Sequence, residues 1–462
     1  MSSSALAGIA SAPALPPQQL SGRLLAVYAL PAAAVGLPAS LVHFFYLKFA
    51  TDVLLVAPAV IGLIFGISKL WDAISDPMAG YWSDHTRSRW GRRRPWVALS
   101  ALPLGLAIVA LWSPPATLGD KALVVWIGLS VFAFYTAHTA FNVPHVSWGA
   151  ELSPVYHERS RVFAAREIGD KLGLFGALGA LYWLETSSSP RGAGSFVAVG
   201  SMAFVAVACW LSTRRVREPA AHQSQCPRSP YAAVADVWRN RDARILLGVI
   251  LLEHLGFAAV GVLLPYASEY VLGTPGQTAW YMLAFTLPIL VSIPAWLWAS
   301  RRLGKKRVWV LSLCIKIVAF AILFTVPVEL TTAVYACIVA IGVAHGCGSI
   351  IPPSIQADVI DVDEYATGER KAGTYFALWN LIGKVALALS LVLAGLALDV
   401  AGFQPNVSQT PQVVGVIRFL MAGLPCLLLI AATALLGRLS LSEASHERLR
   451  EALDRRSAGE RT

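Results

Sequence analysis

The chain has 462 residues, 56% of them apolar and 14% charged, with a mean hydropathy of +0.60. A water-soluble protein of this length needs far more polar surface to cover its core, so the composition excludes one and points to a bilayer. The net charge of +10 is gathered in clusters between apolar runs, which is the pattern of membrane topology and argues against a nucleic-acid partner.

In chain order, residues 1–23 are rich in Ala, Ser and Pro and lack the basic start and apolar core of a cleaved signal. They read as a flexible cytoplasmic lead. Apolar runs long enough to cross a hydrocarbon core, which takes roughly 20 residues, then follow at 24–50, 53–82, 96–113, 122–149, 169–186 and 195–213. A polar stretch at 214–244 separates these from six more runs, at 245–268, 278–299, 308–328, 332–355, 373–400 and 412–437. A basic tail, 438–462, ends the chain. The expected fold is an all-α membrane protein of twelve transmembrane helices in two pseudo-symmetric six-helix bundles, 24–213 and 245–437. Basic clusters such as Arg87 to Arg94, Arg214 to Arg217 and Arg301 to Arg307 mark the even-numbered connections, which places both termini in the cytoplasm. The six cysteines share no metal-ligand spacing and read as small packing residues.

The two halves echo each other. Gly91-Arg92-Arg93-Arg94 follows span two, and Gly304-Lys305-Lys306-Arg307 follows span eight. Ala150-Glu151 leads to Glu158-Arg159 after span four, and Ala357-Asp358 to Glu369-Arg370 after span ten. Two matches at equivalent positions imply a duplicated fold, as in the major facilitator architecture.

Charges inside the spans need a reason, because each costs about 2.5–3.5 kcal/mol at mid-membrane. Asp72 and Asp76 lie one turn apart on one face of span two, with Ser75 beside them. Such hard oxygens suit sodium, lithium or a proton; the alternative is a carboxylate pair neutralised by internal bases such as Lys69. Span four carries Thr139 and Asn142 ahead of Pro144, which distorts the helix locally. Span five brings Arg166-Glu167 and Asp170-Lys171, and span eleven brings Lys384. Glu253, His254, Lys316 and Arg418 are further polar residues within spans, with interhelical bonding as their default role.

The run from Trp71-Asp72-Ala73-Ile74-Ser75-Asp76-Pro77 through Gly80, Asp84 and Thr86-Arg87-Ser88-Arg89-Trp90-Gly91-Arg92 resembles the signature of the glycoside–pentoside–hexuronide:cation symporters, the melibiose permease-like branch of the major facilitator superfamily. Thr51-Asp52-Val53, Asn142-Val143-Pro144, Ala150-Glu151-Leu152, Glu158-Arg159-Ser160-Arg161, Ala357 to Asp361 and Thr367 to Lys371 extend the likeness over nearly the whole chain. The resemblance implies a cation at Asp72, Ser75, Asp76 and Thr139, and substrate contacts at Asn142, Arg166, Asn380 and Lys384. Gly36, Asn142 and Val146 stand where a galactoside carrier has two acids and an aromatic ring, so the solute is expected not to be a galactoside. Two basic groups without the acids favour an anionic solute such as a uronide, or a larger glycoside. If Arg166 and Lys384 instead only neutralise Asp72 and Asp76, the site is left for neutral solutes.

The function expected is secondary active symport of a sugar, glycoside or uronide with Na+ or H+ (or Li+), by a monomer in the inner or plasma membrane and without a cofactor. Carriage of a lysolipid or other amphiphile, or uncoupled facilitation, is the alternative on the same fold. No HExxH, GxSxG or Cys–His pattern supports an enzyme. The cytoplasmic turn from Asp84 to Arg94 is expected to gate the site, with Arg92 pairing to an acid such as Glu151.

Overall fold

The computed structural model describes residues 20–152, 156–218, 237–327, 330–367 and 372–439. The expectations for 1–19, for 219–236 in the middle connection and for 440–462 lie outside the described residues, as do those for Gly368 to Lys371.

The described chain crosses twelve times. Span one is α1 (Gly22–Phe44) continued by α2 (Tyr46–Asp52), and spans two to six are α3 (Pro58–His85), α4 (Arg94–Trp112), α5 (Asp120–Glu151), α6 (Tyr156–Thr186) and α7 (Pro190–Arg215). Spans seven to nine are α8 (Arg241–Tyr266), closed by a π-turn at Ala267–Val271, then α9 (Thr278–Leu303) and α10 (Lys305–Thr325). Span ten is broken into α11 (Thr331–Gly348) and α12 (Ile351–Thr367); α13 (Ala372–Val400) is span eleven. Span twelve is α14 (Pro411–Arg418), a π-turn at Phe419–Gly423 and α15 (Leu424–Gly437). Span two begins at Pro58, five residues later than the apolar run suggests, because Leu55 turns the backbone to a φ of 58° and Pro58 opens the helix.

Among the described residues, eleven helices are long and apolar enough to cross a membrane. The remaining crossing, α6, carries Arg166, Glu167, Asp170 and Lys171 in its middle. It packs along α1 through Gly169 and Gly173. A Cβ on Gly173 would lie 2.9 Å from the Leu37 nitrogen, so the two backbones touch.

The echo between the halves is repeated in geometry. Gly91 and Gly304 both hold a left-handed φ, 105° and 81°, which lets each turn reverse tightly. Arg92 Nη2 then meets Glu151 at 2.7 Å in the first bundle, and Lys305 Nζ meets Asp358 at 2.6 Å in the second. Each pair joins the connection after the second helix of its half to the end of the fourth.

At the opposite end, away from the termini, the bundles are tied to each other. Lys48 holds both Asp52 and Glu269 at 2.5 Å. Tyr270 Oη donates to Asp52 at 2.7 Å, Thr51 and Tyr266 share a 2.8 Å hydroxyl contact, and Asn406 donates to the Asp52 carbonyl at 2.8 Å. Just below, the backbones of α3 and α13 meet at Gly62 and Gly395. A Cβ on Gly62 would fall 2.6 Å from the Leu391 carbonyl oxygen. That end is closed.

Candidate functional site

Asp72 and Asp76 lie on the face of α3 turned toward α5, where Trp71 Nε1 donates to Thr136 at 2.9 Å and fixes the register of the two helices. One turn further along α5, Thr139 Oγ1 is 2.7 Å from Asp72 Oδ1 and 2.9 Å from Asp76 Oδ1. A hydroxyl has one proton, so it donates to only one of these oxygens. The other contact brings two lone pairs together. Three oxygens thus converge on one point. Ser75 Oγ lies 3.5 Å from Thr139 and donates to the Asp72 carbonyl at 3.2 Å.

The outer carboxylate oxygens face lysines. Asp72 Oδ2 is 3.1 Å from Lys384 and 3.5 Å from Lys69, and Lys384 also bonds Asp76 Oδ2. Lys69 rests over the Tyr135 ring at 4.0 Å. Each carboxylate therefore turns one oxygen to an ammonium and the other to Thr139. Lys384 belongs to α13, so this contact bridges the two bundles. Lys69, three residues before Asp72, was flagged by spacing alone. Lys384, 308 residues from Asp76, meets the expectation that it neutralises this pair, whereas Arg166, named with it, bonds Asn142 instead.

The remaining site residues form a second polar group. Arg166 Nη2 donates to Asn142 Oδ1 at 2.7 Å, in the stretch of α5 that Pro144 distorts. Asn380 is exposed on α13, one turn before Lys384. Asp170, one turn beyond Arg166 on α6, was given no role by sequence reasoning. Its carboxylate would lie 3.2 Å from a Cβ placed on Gly36. An acid thus reaches from α6 to the point where α1 has none, and only the absence of a side chain at Gly36 leaves room for it.

Arg92 shares Glu151 with Arg93, whose Nη2 is 3.2 Å away and whose Nη1 donates to Ser83 at 2.5 Å. The side chain of Asp84 lies outside the described residues. Beside the polar groups, a cavity of about 1240 Å³ opens between α1 and α6 on one side and helices α8 to α14 on the other. Its wall is mostly aliphatic and aromatic, Phe257, Phe285 and Trp379 among it, and includes Glu253, His254 and His345. Asn142, Arg166, Asn380 and Lys384 are not in that wall.

Twelve crossings in two bundles, closed at one end and carrying ionisable groups between the bundles, define a membrane transporter and not an enzyme. The chain belongs to the family described as MFS/sugar transport protein, whose model matches residues 27–443. It is 25% identical to an Escherichia coli protein named glucuronide carrier protein homolog, over 95% of this chain and 97% of that one. It is 23% identical to the sodium-dependent lysophosphatidylcholine symporter 1 of Xenopus tropicalis, over 97% and 94%. Among solved structures, a bacterial homolog of the lysosomal transporter Spinster, in an inward-facing and unoccupied conformation, superposes with a TM-score of 0.66 at 14% identity. That alignment covers 90% of this chain and 95% of the other, and shows the shared fold.

Proposed function

We propose that this protein is a cation-coupled symporter of a hydroxyl-rich, neutral glycoside, with both termini in the cytoplasm of a cell whose inner or plasma membrane it spans. The observation that carries the reading is the convergence of Asp72 Oδ1, Asp76 Oδ1 and Thr139 Oγ1, three hard oxygens of the kind a sodium ion or a proton requires. A cation there weakens the hold of Asp76 on Lys384, and with it the tie between the bundles. Ion binding and bundle rocking are then one event. The relatives' printed activities, with a glucuronide and with sodium, support symport as the class.

Charge balance favours a neutral solute over a uronide. Lys384 is committed to Asp72 and Asp76, and the carboxylate of Asp170 stands one turn from Arg166. Lys384 is therefore not free to hold a solute carboxylate, while Arg166 gives one bond to Asn142 and has that acid nearby on its own helix. Asn142, Arg166, Asp170 and Asn380 offer donors and acceptors in the mixture that sugar hydroxyls need.

A thermal-shift panel on purified protein, with and without sodium, tests both parts. A neutral glycoside should stabilise the wild type more in sodium, and its matching uronide should fail to compete. Stabilisation by the uronide alone would move the solute to the anionic class. A second reading, carriage of an amphiphile, is favoured by the apolar cavity; stabilisation by a lysophospholipid and by no glycoside would establish it.

A further inference from the structure

Glu253 and Lys316 form an ion pair that the sodium site does not use. Lys316 Nζ is 2.5 Å from Glu253 Oε1, with Lys316 at 0% exposure and Glu253 at 5%. Trp309 Nε1 donates to the second carboxylate oxygen at 3.4 Å, and the ammonium lies 5.2 Å from the centre of the Phe257 ring. The pair sits at the break in span ten. A Cβ on Gly348, the last residue of α11, would lie 3.4 Å from Glu253 Oε1 and 3.8 Å from Lys316 Nζ. Interrupted helices at mid-membrane expose carbonyl groups and are where transporters place ion sites.

Two observations tie the pair to a ligand. Glu253 and Gly348 line the large cavity, so the pair is reached from it. His345 lines the same cavity, one turn before Gly348, and its Nδ1 lacks a hydrogen-bond partner among the described residues. A metal ion at Glu253 would stand against the Lys316 ammonium at contact distance. A proton needs no such space, and Glu, His and Lys all exchange protons.

We propose that Glu253 is a proton-binding residue of the second bundle, loaded from the cavity past His345, with Lys316 as its fixed counter-charge. Water in the cavity passes a proton to His345, and the imidazole passes one on. The Glu253 carboxylate gains an O–H bond, Lys316 keeps its three N–H bonds, and the charge of the site rises by one. The groups facing Glu253 are Lys316 and Trp309 from α10, His345 from α11 and His254 from its own helix. Lys171 and Glu167 of α6 and Arg418 of α14 lie in the cavity wall beyond.

Infrared difference spectroscopy on the full chain reconstituted in lipid reads this directly, with the proton as the ligand. A carbonyl band of a protonated carboxylic acid should grow in as the pH is lowered. Because E253Q alone strands the Lys316 charge, the paired variant E253Q/K316M is measured beside it. Both should lose the band, D76N should keep it, and H345N should shift the pH at which it appears. Absence of any titrating band in the wild type would make the pair structural and overturn the proposal. A band that survives in E253Q/K316M and disappears in D76N would place the proton at the sodium site instead.

Discussion

Two groups of buried charge occupy the membrane interior, and they differ in what they join. Asp72 and Asp76 of α3 face Lys384 of α13, so their contacts run between bundles. Glu253 of α8 faces Lys316 of α10, inside the second bundle. When the bundles rock, the first set must change its distances and the second need not. A ligand at the first set therefore acts on conformation. A ligand at the second changes the charge of a body that moves as a unit. If both proposed sites bind their ions, only the first acts as a gate.

The sharpest way to break this comparison is to strand a charge. Lys316→Met leaves the Glu253 carboxylate buried without its counter-charge and should destabilise the protein by about 3–5 kcal/mol, while E253Q/K316M should unfold near the wild type. Thermal unfolding in detergent reads both. Equal losses from the two would show that the pair, and not the stranded charge, is what matters. Asp76→Asn should cost far less, since Lys384 keeps Asp72 at 3.1 Å. It should instead abolish uphill accumulation and leave exchange, because the substitution keeps the size of the side chain but removes the negative charge that would hold the cation. Accumulation by that variant against a gradient would remove the cation from this site.

At the closed end, Gly62→Ala should cost about 1–3 kcal/mol through overpacking against Leu391, and should part α3 from α13. A cysteine placed at Asn406 should then label faster with an impermeant maleimide; unchanged labelling would mean that α3 yields without opening the end. The smallest effect is expected from Arg92→Ala, under about 1 kcal/mol, because Arg93 also holds Glu151. Turnover should change more than solute affinity, and the reverse would put Arg92 in the solute path.

What the sequence made legible follows the range of its signals. Twelve spans, two halves and the repeated turns are written in runs of adjacent residues, and so is the span-two carboxylate face, one helical turn apart. Gly346-Cys347-Gly348 and Pro352-Pro353 carried the break in span ten, yet the apolar run through them reads as one helix. The partners of Asp76 and Glu253 lie 308 and 63 residues away, and no periodicity links such positions. Asp170 was visible as a charge, but its meaning depends on Gly36 in another helix.

The polar middle of α6 has a consequence for how the chain is made. On insertion scales Arg166, Glu167, Asp170 and Lys171 each weigh about 2.5–3.5 kcal/mol against entry at the centre of the bilayer. A segment with that load does not leave the translocon for lipid unaided. It needs a surface already waiting, and α1 offers one in which Ala33 and Gly36 let the α6 backbone approach. The first helix synthesised must therefore stay near the exit until the fifth span emerges, some 130 residues later. Biogenesis of the first bundle is thereby a single retained assembly, and a chain that lost α1 would leave α6 stranded at the membrane surface.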